Sequence, residues 1–230
     1  MSPLIIALDI NTKDKLHKIV EECSNESVVF KVGMELYYSL GEYALEYLSE
    51  KKKDIFLDLK LHDIPTTVNK AINSLMRFNI KIINVHALGG REMLLAARAA
   101  VTKTDVKLIA VTHLTSLDDS QIQNEIGINK SLLQSTMDLA KLAFDCKLDG
   151  VVCSAHEVAQ IKQHICEDFI CITPGIRFSS DTNSDQKRVM TPANAIRNKS
   201  DYLVMGRSIT QSSSIKESLK KAIKEINENR

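Results

Sequence analysis

Eight short apolar, β-branched runs recur along the chain with helical stretches between most of them, and this alternation limits the fold more than any other feature. The runs are LIIALD (4–9), SVVFKV (27–32), DIFLDLK (54–60), IKIINVHA (80–87), VKLIAVT (106–112), DGVVCS (149–154), DFICITPG (168–175) and DYLVMGR (201–207). Between them, LHKIVEEC, GEYALEYLSEK, TVNKAINSLMRF, EMLLAARAAV and LLQSTMDLAKLAF carry apolar residues at i, i+3 and i+4, the spacing of a helix with one buried face. The charged stretch IKESLKKAIKEINENR reads as a closing helix. Strands alternating with helices indicate parallel β/α architecture. A length of 230 residues suits one (β/α)₈ TIM barrel, which typically takes about 250. No linker, tandem repeat or low-complexity tract divides the chain, so a single domain over 1–230 is expected. An open doubly wound sheet is the competitor, but eight regular units favour closure and no GxGxxG or Walker A pattern supports it.

A barrel presents its active site at the C-terminal ends of its strands. The first run ends in Asp9, the second at Lys31, the third in Asp58 and Lys60, the fourth near His86, the fifth in Thr112 and the sixth in Ser154; the last two end at Pro174-Gly175 and Gly206-Arg207. The third run continues as FLDLKLHDIPTTV (56–68). Alternation along a strand puts Phe56, Asp58 and Lys60 on one face and Ile55, Leu57 and Leu59 on the other. With Lys31 from the neighbouring strand, the mouth would then hold ammonium, carboxylate and ammonium in a row. A salt-bridge network that merely closes the barrel top is the plainer reading, yet buried ion pairs stabilise weakly and ionisable clusters in clefts are more often functional. Asp63, just before Pro65, is placed to join the row or to reach a neighbouring subunit.

The polar stretch of about 25 residues between the seventh and eighth runs is long for a structureless connection. It holds Arg177, Gln186, Lys187 and Arg188, and Gly206-Arg207-Ser208 opens a short helix after the eighth run. Barrels commonly bind phosphate with these last two loops. His62, His86 and His113 fall near strand ends, but no HxH or HExxH spacing makes them metal ligands with Asp58 and Asp63. His17, His156 and His164 fall in helical segments, and Leu114-Thr115-Ser116 forms a polar turn. Lys and Arg total 30 against 29 Asp and Glu, which predicts no broad attraction to nucleic acid or anionic membrane. Five scattered cysteines without a CxxC pair indicate buried thiols in a reducing cytosol. The N-terminus lacks a signal-peptide pattern and no apolar run reaches membrane-spanning length, so a cytoplasmic protein is expected.

ALDI, FKVG, DLKLHDIP, VTHLTS, ITPGIR and VMGRSI, in this order from residue 7 to residue 209, closely resemble the orotidine 5′-phosphate decarboxylase family. The resemblance implies a (β/α)₈ homodimer that uses no cofactor and no metal. It implies conversion of orotidine 5′-phosphate to uridine 5′-phosphate and carbon dioxide, the last step of pyrimidine synthesis. By motif, Lys60 resembles the proton donor, Asp58 its neighbouring carboxylate, and Lys31 the lysine linking Asp58 to the ribose. Asp63 resembles the aspartate donated into the partner's site. Asp9 and Thr67 match ribose-side contacts, Thr67 in the partner's site, and Ile64 and Pro174 belong to the same substrate-contacting motifs. Thr115 and Ser116 match the turn facing the pyrimidine. Arg177, Gln186, Gly206 and Arg207 match the closing loop and the phosphate cradle. The family usually reads DIPNT, whereas this chain has Thr66 in place of the asparagine. Related barrels, the hexulose-phosphate synthases and keto-gulonate-phosphate decarboxylases, share a DxKxxD pattern but use magnesium. They are the alternative reading, together with a non-catalytic nucleotide-binding barrel.

Overall fold

Every one of the eight apolar runs forms a strand in the computed structural model, which describes residues 2–181 and 188–230. The strands are β1 (Leu4–Ala7), β2 (Val29–Gly33), β3 (Asp54–Leu61), β4 (Ile80–His86), β5 (Lys107–Val111), β6 (Gly150–Val152), β7 (Ile170–Thr173) and β8 (Tyr202–Met205). They pair in parallel and in chain order, and β8 returns to β1 to close a barrel. Closure leaves no sheet edge unpaired.

At least one helix follows each strand. These are α1 (Lys13–Glu22) after β1; α2 (Met34–Leu40) and α3 (Tyr43–Glu50) after β2; α4 (Pro65–Leu75) after β3; and α5 (Gly90–Val101) after β4. Then come α6 (Asp119–Asn124) and α7 (Leu132–Asp145) after β5, α8 (Val158–His164) after β6, α9 (Pro192–Arg197) after β7, and α10 (Arg207–Thr210) and α11 (Ile215–Asn227) after β8. Local chemistry sets several starts. Thr12, Asp118, Ser131, Thr191 and Ser214 each accept a backbone N–H of the first turn through their side chains, each worth about 1 kcal/mol. Ser131 and Gln134 form a reciprocal capping box, and Pro65 and Pro192 start their helices where a missing N–H costs nothing.

The period-2 alternation of the strands creates two cores. Ile5, Ala7, Val29, Phe56, Ile82, Ile109, Ile172 and Val204 fill the barrel interior. The alternate residues, such as Ile6, Phe30, Ile55, Leu57 and Ile83, pack outward against helix residues such as Leu16, Leu45, Val68 and Leu94. Phe56 is therefore inside and its neighbours Ile55 and Leu57 outside, as the alternation of DIFLDLK requires.

Three expectations change. β1, β5 and β6 stop before their apolar runs do, so Asp9, Thr112 and Ser154 lie just beyond them. His156 sits in a turn before α8, while His17 and His164 are helical; the Ser154 hydroxyl accepts the His156 N–H and holds the turn. The stretch between β7 and β8 is not structureless throughout. Ile176 bridges Met190 in parallel, and α9 follows.

Candidate active site

Asp58, near the end of β3, is the hub of the barrel mouth. Its Oδ2 lies 3.3 Å from Lys31 Nζ and its Oδ1 2.7 Å from Lys60 Nζ. Lys31 Nζ also donates to Asp9 Oδ1 at 3.2 Å. Four charges, from β2, β3 and the segment just past β1, thus form a chain: Asp9, Lys31, Asp58, Lys60. Burial opposes ionisation of Asp58, but Lys31, Lys60 and hydrogen bonds from Lys60 and Asn84 outweigh it and hold the carboxyl below its usual range. Burial likewise opposes the Lys31 ammonium, and Asp58 and Asp9 more than compensate, raising its pKa. Gly33 makes room for this arrangement: a Cβ there would stand 2.9 Å from Lys31 Nζ.

Simple alternation fails at Lys60. Its φ is +51°, a left-handed conformation costing a non-glycine residue on the order of 1–3 kcal/mol. The β3–β4 pairing explains it. Leu57 pairs Ile83 and Leu61 pairs Val85, so four steps along β3 match two along β4. The excess bulges outward from the ladder. The buried Asn84, facing the bulge from β4, accepts the Lys60 backbone N–H at 2.8 Å and donates to Asp58 Oδ1 at 2.7 Å. Composition and motifs passed over Asn84. Its signal is that Ile82, Asn84 and His86 share the inward face of an otherwise apolar run.

A cavity of about 380 Å³ opens above the charge row. Of the residues singled out from sequence, Asp9, Lys31, Asp58 and Lys60 line one side. Thr115, Ser116 and Pro174 line it as well, and Arg177, Gly206 and Arg207 stand at the β7 and β8 ends. Phe56, Val111, Val152 and Val204 supply apolar walls. The Arg188 guanidinium pairs with the buried carboxylate of Glu157 and donates to the Leu114 carbonyl. The stem of the β7–α9 connection is thereby tied to the turn carrying Thr115 and Ser116. Ser208 Oγ donates to Asp181 Oδ2 at 2.5 Å, tying the start of the same connection to α10.

Asp63, Ile64 and Thr67 do not reach this cavity within the chain. They are exposed on the β3–α4 loop and in the first turn of α4, with Ile64 67% exposed. Asp63 Oδ1 accepts the Ile64 N–H at 2.7 Å. Thr66 is exposed beside them. Gln186 lies outside the described residues. His86 stacks on His62 with ring centroids 5.4 Å apart and accepts the Leu88 N–H. Burial first, then His62, His113 and Lys60, push its pKa down to about 4. His113 bonds the Ser135 hydroxyl at 2.8 Å. Among the described residues, no cluster of three or more His, Cys, Asp or Glu could hold a metal ion, and no helix is long and apolar enough to cross a membrane.

The arrangement offers an ammonium pinned by a carboxylate, apolar walls around the cavity, and arginines at the β7 and β8 ends. Comparison with known proteins adds chemistry to that geometry. A model of the family described as Orotidine 5′-phosphate decarboxylase / HUMPS family matches residues 2–222. A Streptococcus suis protein named orotidine 5′-phosphate decarboxylase is 49% identical over 209 residues, 90% of either chain. One of the same name from Fusobacterium nucleatum is 44% identical over 209 residues, 90% of this chain and 88% of that one. The crystal structure of orotidine 5′-phosphate decarboxylase from Lactobacillus acidophilus superposes with a TM-score of 0.87 at 36% identity, over 99% of this chain and 100% of that one.

Proposed function

The chain belongs to the orotidine 5′-phosphate decarboxylase / HUMPS family, and from that membership we propose that it decarboxylates orotidine 5′-phosphate to uridine 5′-phosphate. The observation that carries the reading is the Lys31–Asp58–Lys60 row beside a cavity of about 380 Å³ with apolar walls. The magnesium-dependent sugar-phosphate lyases are not favoured, since the named relatives are orotidylate decarboxylases.

Loss of carbon dioxide from the pyrimidine C6 leaves a carbanion with little resonance relief. Lowering that barrier calls for preorganised charge and positioning. Lys60, held by Asp58 at 2.7 Å, stabilises the charge developing at C6 and then protonates it. The substrate carboxylate leaves as carbon dioxide, its bonding pair stays on C6, and the Lys60 proton forms the new C–H bond. Asp58 stands nearest the departing carboxylate. Lys31 and Asp9 take the ribose hydroxyls, and the Thr115-Ser116 turn faces the pyrimidine. Arg207, the Gly206 N–H and Arg177 receive the phosphate through charge-assisted hydrogen bonds. Because the phosphate is remote from C6, its binding energy is available to position the ring and exclude water.

Asp63, Ile64 and Thr67 enter this scheme through a second copy. In a homodimer whose β3–α4 loops cross, Asp63 and Thr67 of one subunit complete the cavity of the other. Their exposure, and their not lining their own chain's cavity, support that reading. The assay is loss of orotidylate absorbance on adding purified protein. Turnover is expected with and without EDTA, and Lys60→Ala is expected to lower kcat at least roughly 1,000-fold, as removal of a transition-state charge donor does. Near-normal activity in that variant, or dependence of the parent on added magnesium, overturns the proposal.

A further inference from the structure

The bulge in β3 raises a specific problem. It lifts Lys60 out of the regular ladder, so the Lys60 N–H has no strand carbonyl in register. It also holds Lys60 in the left-handed region, at φ +51°, which costs a residue with a side chain about 1–2 kcal/mol. Yet this residue must deliver its Nζ to Asp58 Oδ1 within 2.7 Å. The side chain of Asn84 answers both requirements at once. Its Oδ1 accepts the displaced N–H at 2.8 Å, and its Nδ2 donates to Asp58 Oδ1, the same oxygen that takes the Lys60 ammonium, at 2.7 Å. Asn84 is fully buried, on a strand whose inward neighbour Ile82 belongs to the packed interior. An amide there has few alternative orientations.

We infer that Asn84 is a positioning residue for the reaction, a two-point clamp that fixes the backbone of Lys60 and the carboxylate of Asp58 relative to one another. The inference rests on the decarboxylase reading of the charge row. The clamp needs one end that accepts and one that donates, which an asparagine amide supplies in a single side chain. With Asp58 Oδ1 committed to Asn84 and Lys60, Oδ2 is left to Lys31 and the substrate. Removing the clamp frees the bulge to relax toward ordinary strand geometry and swings the ammonium away from C6. The phosphate and ribose contacts sit on other strands, so binding should survive while chemistry suffers.

Asn84→Leu keeps the branching of the side chain and deletes both hydrogen bonds. We expect kcat to fall about 100-fold, the scale set by a misplacement of about 1 Å in a reacting group, with uridine 5′-phosphate affinity changed less than about threefold. A kcat within threefold of the parent overturns the inference, and so does a loss of product affinity as large as the loss in kcat. Asn84→Asp keeps the shape and covers the case in which the leucine variant does not fold. Its neutral carboxyl donates to Asp58 and accepts from Lys60 N–H as the amide does, whereas its ionised form repels Asp58. Its kcat profile should therefore gain an alkaline limb that the parent lacks, and a profile parallel to the parent's overturns the clamp. Failure of the parent to turn over orotidylate is a different result, which removes the decarboxylase reading itself.

Discussion

Lys60 and Arg207 divide the work of one molecule between two ends of a cavity, and their substitutions should separate accordingly. Arg207→Ala removes a charge-assisted contact, so affinity for uridine 5′-phosphate is expected to fall roughly 10- to 100-fold. Binding of uridine, which lacks the phosphate, should scarcely change; equal losses for both ligands would place Arg207 elsewhere. The histidines give a second test at this scale. His86 titrates near pH 4 in the folded chain against 6.5 ordinarily. Between those values the unfolded chain binds a proton that the folded one refuses, so stability rises with pH across that window and falls on acidification. Asp58 adds a loss in the same sense, but only as pH drops below 3.8, its ordinary value. Unfolding midpoints measured from pH 4 to pH 7 should show a shallower slope in His86→Asn than in the parent, and an unchanged slope would exclude His86 as the source.

Strands and their faces were legible from the sequence, because a barrel strand buried on both sides must be apolar throughout and its polar interruptions stand out. Asp9, Lys31, Asp58 and Lys60 could be named for that reason, Arg177 and Arg207 from the loops after the last two runs, and the cavity gathers them all. Asn84 could not, since its importance arises from a register slip between β3 and β4 that no single run of residues encodes. The short helices α2, α6, α8 and α9 were also missed. Helices of six or seven residues complete too few turns to display a period. The Arg188–Glu157 pair joins residues 31 positions apart and connects two loops that sequence reasoning treated separately. Glu157 is buried, and removing one partner of a buried pair typically costs about 3–5 kcal/mol. Arg188 is partly open to solvent, so Glu157→Gln should cost less than that range, with a lowered thermal midpoint. The substitution should also raise KM by loosening the Thr115-Ser116 turn. An unchanged midpoint and KM would mean that the two loops are held by other contacts.

At the scale of the whole molecule, the exposed Asp63–Thr67 segment supports a cavity finished by a second subunit. Mixing Asp63→Ala with Lys60→Ala chains then generates one site lacking both substitutions in each heterodimer, and part of the parent activity should return. No recovery despite verified heterodimers would assign Asp63 to its own subunit. A different consequence attaches to the interior of the barrel. Ala7, Phe56 and Val204 belong to its packed core and also form the floor of the cavity. Truncating an aromatic such as Phe56 ordinarily costs about 3–5 kcal/mol, and here it would reshape the seat of the ring as well. Lineages descending from this chain are therefore held on a narrow path: at these positions a change in substrate preference and a change in fitness to fold arrive in the same mutation, so new specificities are more accessible through the loops than through the floor.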